Sequence, residues 1–179
     1  MTTCTWIFRR HARPDAALAQ FRETLELNPR HAAARLGYAM SLVQARRYRE
    51  ARDWLDEATR LFPDRSEFKM GLARLLAASP DDRVRDGQRA ISITQELYKG
   101  ERTTALGETI AMALAETGDY AQAIAIQRDV MTAAQRAGLA AQLPHMSANM
   151  LLYERHQPCR TPWADDDLAI EPAARSRDF

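Results

Sequence analysis

The chain has 179 residues, 46% of them apolar and 27% charged, which is enough for one ordinary domain or a short array of repeats with a sizeable core. It contains no apolar run long enough to cross a bilayer, so we expect no membrane span. Its 25 basic and 24 acidic side chains are mixed along the chain and leave a formal net charge of +1, which argues against nucleic acid as a partner.

The first residues do not form a secretory signal. In "MTTCTWIFRRHARP" the apolar residues precede the arginines and are few, so we expect the cytoplasm as the compartment. The two cysteines, Cys4 and Cys159, lie near opposite ends of the chain and form neither a metal-binding pair nor a disulfide framework.

The N-terminal region predicts a helical hairpin with a shortened first helix. Asp15 to Asn28 is predicted as the second helix because its apolar residues are spaced by three and four. Thr5 to Ala12 leaves only about two turns for the helix before it, too few to shield the seam. We therefore expect either a homodimer through this hairpin or docking against an upstream domain. The predicted dimer edge consists of Trp6, Phe8 and Phe21.

A repeat with a period of about 34 residues follows from the spacing of alanine, a bulky residue and a closing proline. Each alanine is followed four residues later by the bulky residue and twelve residues later by the proline, which ends its helix. The two sets are Ala17, Phe21 and Pro29, and then Ala51, Leu55 and Pro63.

Two looser copies come next. Ala90 follows Ala51 a few residues later than the period predicts, and the surplus falls in a predicted loop, Ser79 to Gly87. Ala123 follows Ala90 at nearly the regular period and comes after "GDYAQA", a turn and helix start.

This pattern resembles the tetratricopeptide repeat, in which each unit is a pair of antiparallel helices. The resemblance implies an all-α, right-handed superhelical solenoid of stacked hairpins, because a hairpin cannot bury both of its apolar faces alone. It also places the small residues Ala39, Ala73 and Ala111 where helices approach closely. The approximate repeats are residues 1–30, 31–64, 65–103 and 104–137, all within a repeat domain of residues 1–157.

After the last repeat, the periodicity predicts a capping helix within residues 138–157 that starts or bends at Pro144. Its apolar stripe is Leu139, Leu143, Met146, Met150 and Tyr153. Residues 158–179 lose this periodicity and are predicted to be a partly disordered tail. Trp163 is expected to fold back on the capping helix or into the groove of the array, because a tryptophan gains from burial.

The sequence shows no catalytic or metal constellation, so we predict a non-enzyme without cofactors. His156 and Cys159 are too few for zinc, and Asp165 to Asp167 lack the glycine and spacing of a calcium loop. No serine lies in a glycine elbow and no glycine-rich phosphate loop is present. "DRVRDGQRA" has two interpretations, a phosphate site formed by its arginines or an exposed loop in which aspartates balance them, and we favour the second.

The resemblance also implies that the first helices of the hairpins line a concave groove. Chaperone-binding members of the family clamp a terminal carboxylate there with Asn, Lys and Arg, but this chain has Leu36, Met40 and Met70 in such places. Methionines suit an adaptable apolar peptide groove, although these residues could instead be core or be covered by the tail. The predicted groove comprises Leu36, Met40, Val43, Met70, Arg74, Glu108 and Met112.

We therefore predict a scaffold or adaptor that binds a peptide or helix of an unidentified protein partner in this groove. The alternative is an accessory repeat module of a larger or partner transferase that transfers glycosyl or sulfo groups. Both functions rest on what the resemblance implies.

Overall fold

The computed structural model describes residues 5–100 and 102–163, and of residues 5–13 it describes the backbone alone. Within these residues the fold is all-α, as predicted, with helices and no strand. The helices are α1 Thr5–Leu27, α2 Ala32–Gln44, α3 Tyr48–Leu61, α4 Ser66–Ala78, α5 Gly87–Tyr98, α6 Thr104–Glu116, α7 Tyr120–Arg136 and α8 Leu143–Glu154, with a 3-10 turn at Ala140–Gln142 before α8.

Each helix packs against the next one along the chain, and α4 also packs directly against α6. The apolar core runs through this stack from Leu18 in α1 to Tyr153 in α8. Contacts between neighbours in sequence, rather than around one central core, are what a helical solenoid uses for its stability.

The turns between paired helices use the left-handed backbone conformation. Gly118 has φ 88° between α6 and α7, and Arg46 has φ 58° between α2 and α3. In both turns the N–H group of the next residue donates a hydrogen bond to a carbonyl of the preceding helix. Asp119 donates to the Leu114 carbonyl at 2.9 Å, and Arg47 donates to the Leu42 carbonyl at 2.8 Å. These bonds satisfy carbonyl groups that the helix end would otherwise leave unpaired, so they fix each hairpin.

The alanines that define the repeat lie where helices meet. Ala51, Ala90 and Ala123, which begin the repeated pattern on α3, α5 and α7, are fully buried. The predicted small positions on the partner helices are also fully buried, which confirms them as sites of close approach. They are Ala39, Ala73 and Ala111.

The start of the chain differs from its prediction. We expected a short helix from Thr5 to Ala12 and a second one from Asp15, but α1 is a single helix over Thr5–Leu27 with Pro14 inside it. The helix continues through Arg13 and Pro14, so no turn separates the two predicted segments. Pro14 removes a backbone hydrogen bond without reversing the chain.

The other predicted boundaries lie close to those observed. The loop predicted at Ser79 to Gly87 connects α4 to α5, with Gly87 as the first residue of α5. Pro144 lies in the first turn of α8, where a proline forfeits no helical hydrogen bond, so the helix starts there.

Candidate functional site

We call the side formed by α2, α4 and α6, the helices predicted to line the groove, the inner face. On this face α4 and α6 are joined by a buried ion pair. Arg74 on α4 places Nη2 at 2.6 Å from Glu108 Oε2 on α6, and the two side chains are only 8% and 6% exposed. Such a pair is stable only if the remaining polar atoms of both groups also find partners.

Helix α8 supplies partners for the carboxylate. Asn149 Nδ2 donates to Glu108 Oε1 at 3.3 Å, and His145 Nε2 lies 3.6 Å from the same oxygen. Both oxygens of Glu108 are therefore engaged, and α4, α6 and α8 are joined through one carboxylate.

The residues after α8 cover this ion pair. We call residues 158–163 the covering segment; it contains no helix. Arg74 Nε donates to the main-chain carbonyl of Pro162, and Cys159 and Pro162 are buried. Trp163 packs against the apolar core, which confirms the prediction that it folds back.

A second contact fastens the covering segment at the end of α6. Arg160 Nη1 donates to Glu116 Oε2 at 2.5 Å, and Arg85 Nε donates to Glu116 Oε1 at 2.9 Å. Glu116 thus lies between two guanidinium groups, one from the loop after α4 and one from the covering segment. Charge-assisted bonds of this kind are among the stronger hydrogen bonds in proteins.

Two buried ionisable groups, one in α8 and one in the covering segment itself, are held neutral. Burial, and then the nearby Cys159 thiol and Glu108 carboxylate, raise the pKa of Tyr153. Burial raises the pKa of Cys159, although a hydrogen bond from the Thr161 backbone N–H opposes that shift. The Tyr153 hydroxyl is buried and has no hydrogen-bond partner among the described residues. The thiol is therefore a poor nucleophile while the segment is in place.

The predicted groove residues are mostly not on an open surface. Leu36 and Met70 are half-buried, whereas the other five are buried. The expectation that all of them face an exposed groove is wrong, because helix packing and the covering segment enclose this part of the inner face. The five buried residues are Met40, Val43, Arg74, Glu108 and Met112.

An open cleft of about 420 Å³ adjoins the inner face at Met70. The first turns of α4 and α6 and the end of α5 form its walls, and Lys69 Nζ lies 2.6 Å from Glu96 Oε1 across it. Its volume is within the range of ordinary ligand pockets. The lining residues are Pro63, Asp64, Ser66, Glu67, Lys69, Met70, Glu96, Leu97, Gly100, Thr103 and Leu106.

The arginines of "DRVRDGQRA" are paired with acidic side chains. Arg83 Nε lies 3.0 Å from Asp81 Oδ1, Arg85 bonds to Glu116, and Arg89 bonds to Asp56 on α3. These pairs favour the interpretation as a charge-balanced loop over that as a phosphate site.

One residue of the predicted dimer edge, Phe21, is buried within the chain. Phe21 is only 6% exposed and its ring packs against α2 at Gly37, so it is not free to contact a second chain. The side chains of Trp6 and Phe8 lie outside the described residues, and the homodimer stays a prediction.

The described part of the chain lacks two kinds of feature. No group of three potential metal ligands occurs there. No helix within it is both long enough and apolar enough to span a membrane. Asp165 to Asp167, considered for a hard cation, and the remainder of the tail lie outside the described residues.

Comparison with known proteins agrees with the helical hairpins. The family model described as Tetratricopeptide repeat matches residues 9–75, which include most of α1, all of α2 and α3, and most of α4. No curated protein and no solved structure matches the chain. The family match over residues 9–75 and the all-α hairpin architecture of the described residues together support a tetratricopeptide repeat protein.

Proposed function

We propose that the chain is a cytoplasmic, non-catalytic scaffold or adaptor that binds an extended segment of a protein partner along its inner face. Tetratricopeptide repeats generally mediate protein–protein interaction, and the repeats are typically non-catalytic. The observation that carries the proposal is the covering segment, because the inner face already holds a non-helical stretch of polypeptide through the bond from Arg74 to the Pro162 carbonyl.

The chemistry of the inner face supports an extended peptide rather than a small metabolite. A guanidinium that bonds a main-chain carbonyl recognises a feature that every peptide has, whereas side-chain pockets beside it provide specificity. The open cleft offers such a pocket, with apolar walls at Met70, Leu97 and Leu106.

Charge further restricts the partner. The cleft contains the acidic residues Asp64, Glu67 and Glu96, while Lys69 is the single basic residue in the described part of its lining. Glu116 at the other end of α6 already holds an arginine of the covering segment. The excess of acidic side chains at the cleft, and a Glu116 oxygen that accepts from an arginine of the bound segment, favour a basic segment.

The transferase alternative uses the same surface. An accessory module must contact another polypeptide or domain, and the inner face with its open cleft would serve that contact as well. Both versions of the function therefore predict that changes at the cleft abolish binding.

We expect that linear peptides selected from a displayed library on the full chain lose at least about tenfold in affinity when Leu36 and Met70 are both changed to Glu. Each exchange places a carboxylate among the half-buried apolar side chains of the predicted groove. A desolvated charge without a partner costs more than about 1.4 kcal/mol, which is the binding free energy that corresponds to a tenfold change in affinity. Fluorescence anisotropy with labelled peptides measures the loss. Met40 is not used because it is buried, and Glu there would affect folding.

Leu27→Glu is the matched control, since Leu27 is 86% exposed on α1. Peptides should bind this variant as they bind the parent, and thermal melts should show that all variants are folded. Equal affinity for the parent and the Leu36→Glu/Met70→Glu variant would contradict the proposal, as would a library that yields no ligand.

A further inference from the structure

We infer that the covering segment is an internal ligand, and that partner segments displace it and share its pattern of a basic residue, any residue, proline and an aromatic residue. The inference rests on the proposed function and specifies the partner and its competition with the chain. In the chain itself this pattern is Arg160, Thr161, Pro162 and Trp163.

The basic position is defined by Glu116. Its Oε2 accepts from Arg160 at 2.5 Å, while Oε1 is occupied by Arg85. Arg85 is held in place by a further bond to the Ser79 carbonyl at 3.0 Å, so it belongs to the scaffold and remains when Arg160 leaves. The carboxylate oxygen that faces the segment then needs a new cation or water.

The proline position is defined by Arg74. The guanidinium bonds the Pro162 carbonyl with Nε and Glu108 with Nη2. Pro162 is buried, and because proline has no N–H it brings no backbone donor that burial could leave without a partner. Trp163 then reaches the apolar core and adds burial at the next position.

The covering segment can leave without unwinding α8. The helix is closed before the segment begins, since Gln157 N–H donates to the Leu152 carbonyl at 2.9 Å and His156 N–H donates to the Tyr153 carbonyl at 2.9 Å. His156 adopts φ 55° and stacks on Tyr120 with 5.1 Å between ring centroids. This closed helix end separates the stable cap from the segment that follows it.

The first test uses Cys159 as a reporter of release, in the full chain with Cys4→Ser so that one thiol remains. The buried thiol should react slowly with iodoacetamide in the native protein. Arg160→Glu places a second negative charge against Glu116, so we expect the alkylation rate to rise roughly tenfold or more. Arg160→Lys keeps the charge and should stay near the parental rate.

Arg155→Glu is the matched control. Arg155 is exposed at the end of α8, and its replacement by glutamate changes the charge by the same amount as Arg160→Glu. Far-UV circular dichroism and thermal melts establish that the variants keep the native fold. An Arg160→Glu variant that is folded but reacts no faster than Arg155→Glu overturns the inference, because the segment is then not held by this contact.

The second test measures partner chemistry with a labelled synthetic peptide of residues 157–163 in which serine replaces the cysteine. It should bind the Arg160→Glu protein at least about tenfold more tightly than the parent, because a tethered competitor acts at millimolar effective concentration. A peptide with glutamate in place of the arginine should bind neither protein.

The outcomes separate the inference from the proposed function. If the segment is released but the peptide does not bind, the assigned partner pattern is wrong. If library selection on that same released variant then yields ligands of another pattern, the proposed function stands and the inference falls. If it yields none, both fall.

Discussion

Arg74→Met should cost about 3–5 kcal/mol of unfolding free energy, the largest loss that we expect from any single exchange in this protein's inner face. The variant leaves the Glu108 carboxylate buried without its cationic partner, and the amide of Asn149 and the ring of His145 are its remaining polar contacts among the described residues. It also removes the donor to the Pro162 carbonyl. Urea unfolding followed by circular dichroism measures the change, provided that the dependence of the unfolding free energy on urea concentration has the same slope in the variant and the parent.

The double variant Arg74→Met/Glu108→Met is the control for this interpretation. Replacing both members of a buried ion pair with apolar residues of similar size is often neutral, so the double variant should recover most of the loss. A double variant as unstable as Arg74→Met alone would show that packing around Arg74, rather than the unpaired charge, accounts for the effect.

Gly37→Ala should destabilise the protein, whereas Gly71→Ala should leave it unchanged or stabilise it. A Cβ atom at residue 37 would lie 2.3 Å from Cζ of the Phe21 ring, which is buried and cannot move away freely. Overpacking of this kind costs about 1–3 kcal/mol, more than the roughly 1 kcal/mol that alanine gains over glycine in a helix.

At Gly71 the nearest atom to an added Cβ is Leu55 Cδ2 at 3.4 Å, an ordinary contact. The two glycines are separated by one period of the repeat and occupy the same place in α2 and α4, so each variant is the matched control of the other. Thermal melts of both variants measure the difference. An equal decrease in melting temperature in the two variants would mean that the helix spacing at Phe21 does not limit the size of residue 37.

The fold could be predicted from local signals. The alanine, bulky residue and proline at a fixed period identify hairpins, since the same contacts between neighbours recur in each unit. The turn "GDYAQA" could be recognised because Gly118 adopts the left-handed conformation that glycine tolerates best. The equivalent turn at Arg46 uses the same conformation without glycine, and no sequence signal marks it.

The candidate site was only partly predictable. The sequence places Arg74 and Glu108 on the inner face, and opposite charges one repeat period apart on adjacent helices are a signal for the ion pair. His145, Asn149 and Glu116 were missed because their roles depend on where α8 and the covering segment pack. The pattern within each helix does not contain that information.

The covering segment was predicted only through Trp163. Its polar contacts link Arg160 and Pro162 to residues 44 and 88 positions earlier, and no period of the repeat relates those positions. The error about the open groove has the same origin, since the repeat pattern describes the solenoid but not what lies on its inner face.

The competition between partner and covering segment is tested most directly by one titration on the Cys4→Ser chain. A peptide selected for binding is added in steps, and the alkylation rate of Cys159 is measured at each concentration. If both occupy the inner face, the rate rises to a plateau, with its midpoint at the dissociation constant found by anisotropy. A peptide that saturates the protein while Cys159 keeps its parental rate would contradict the account.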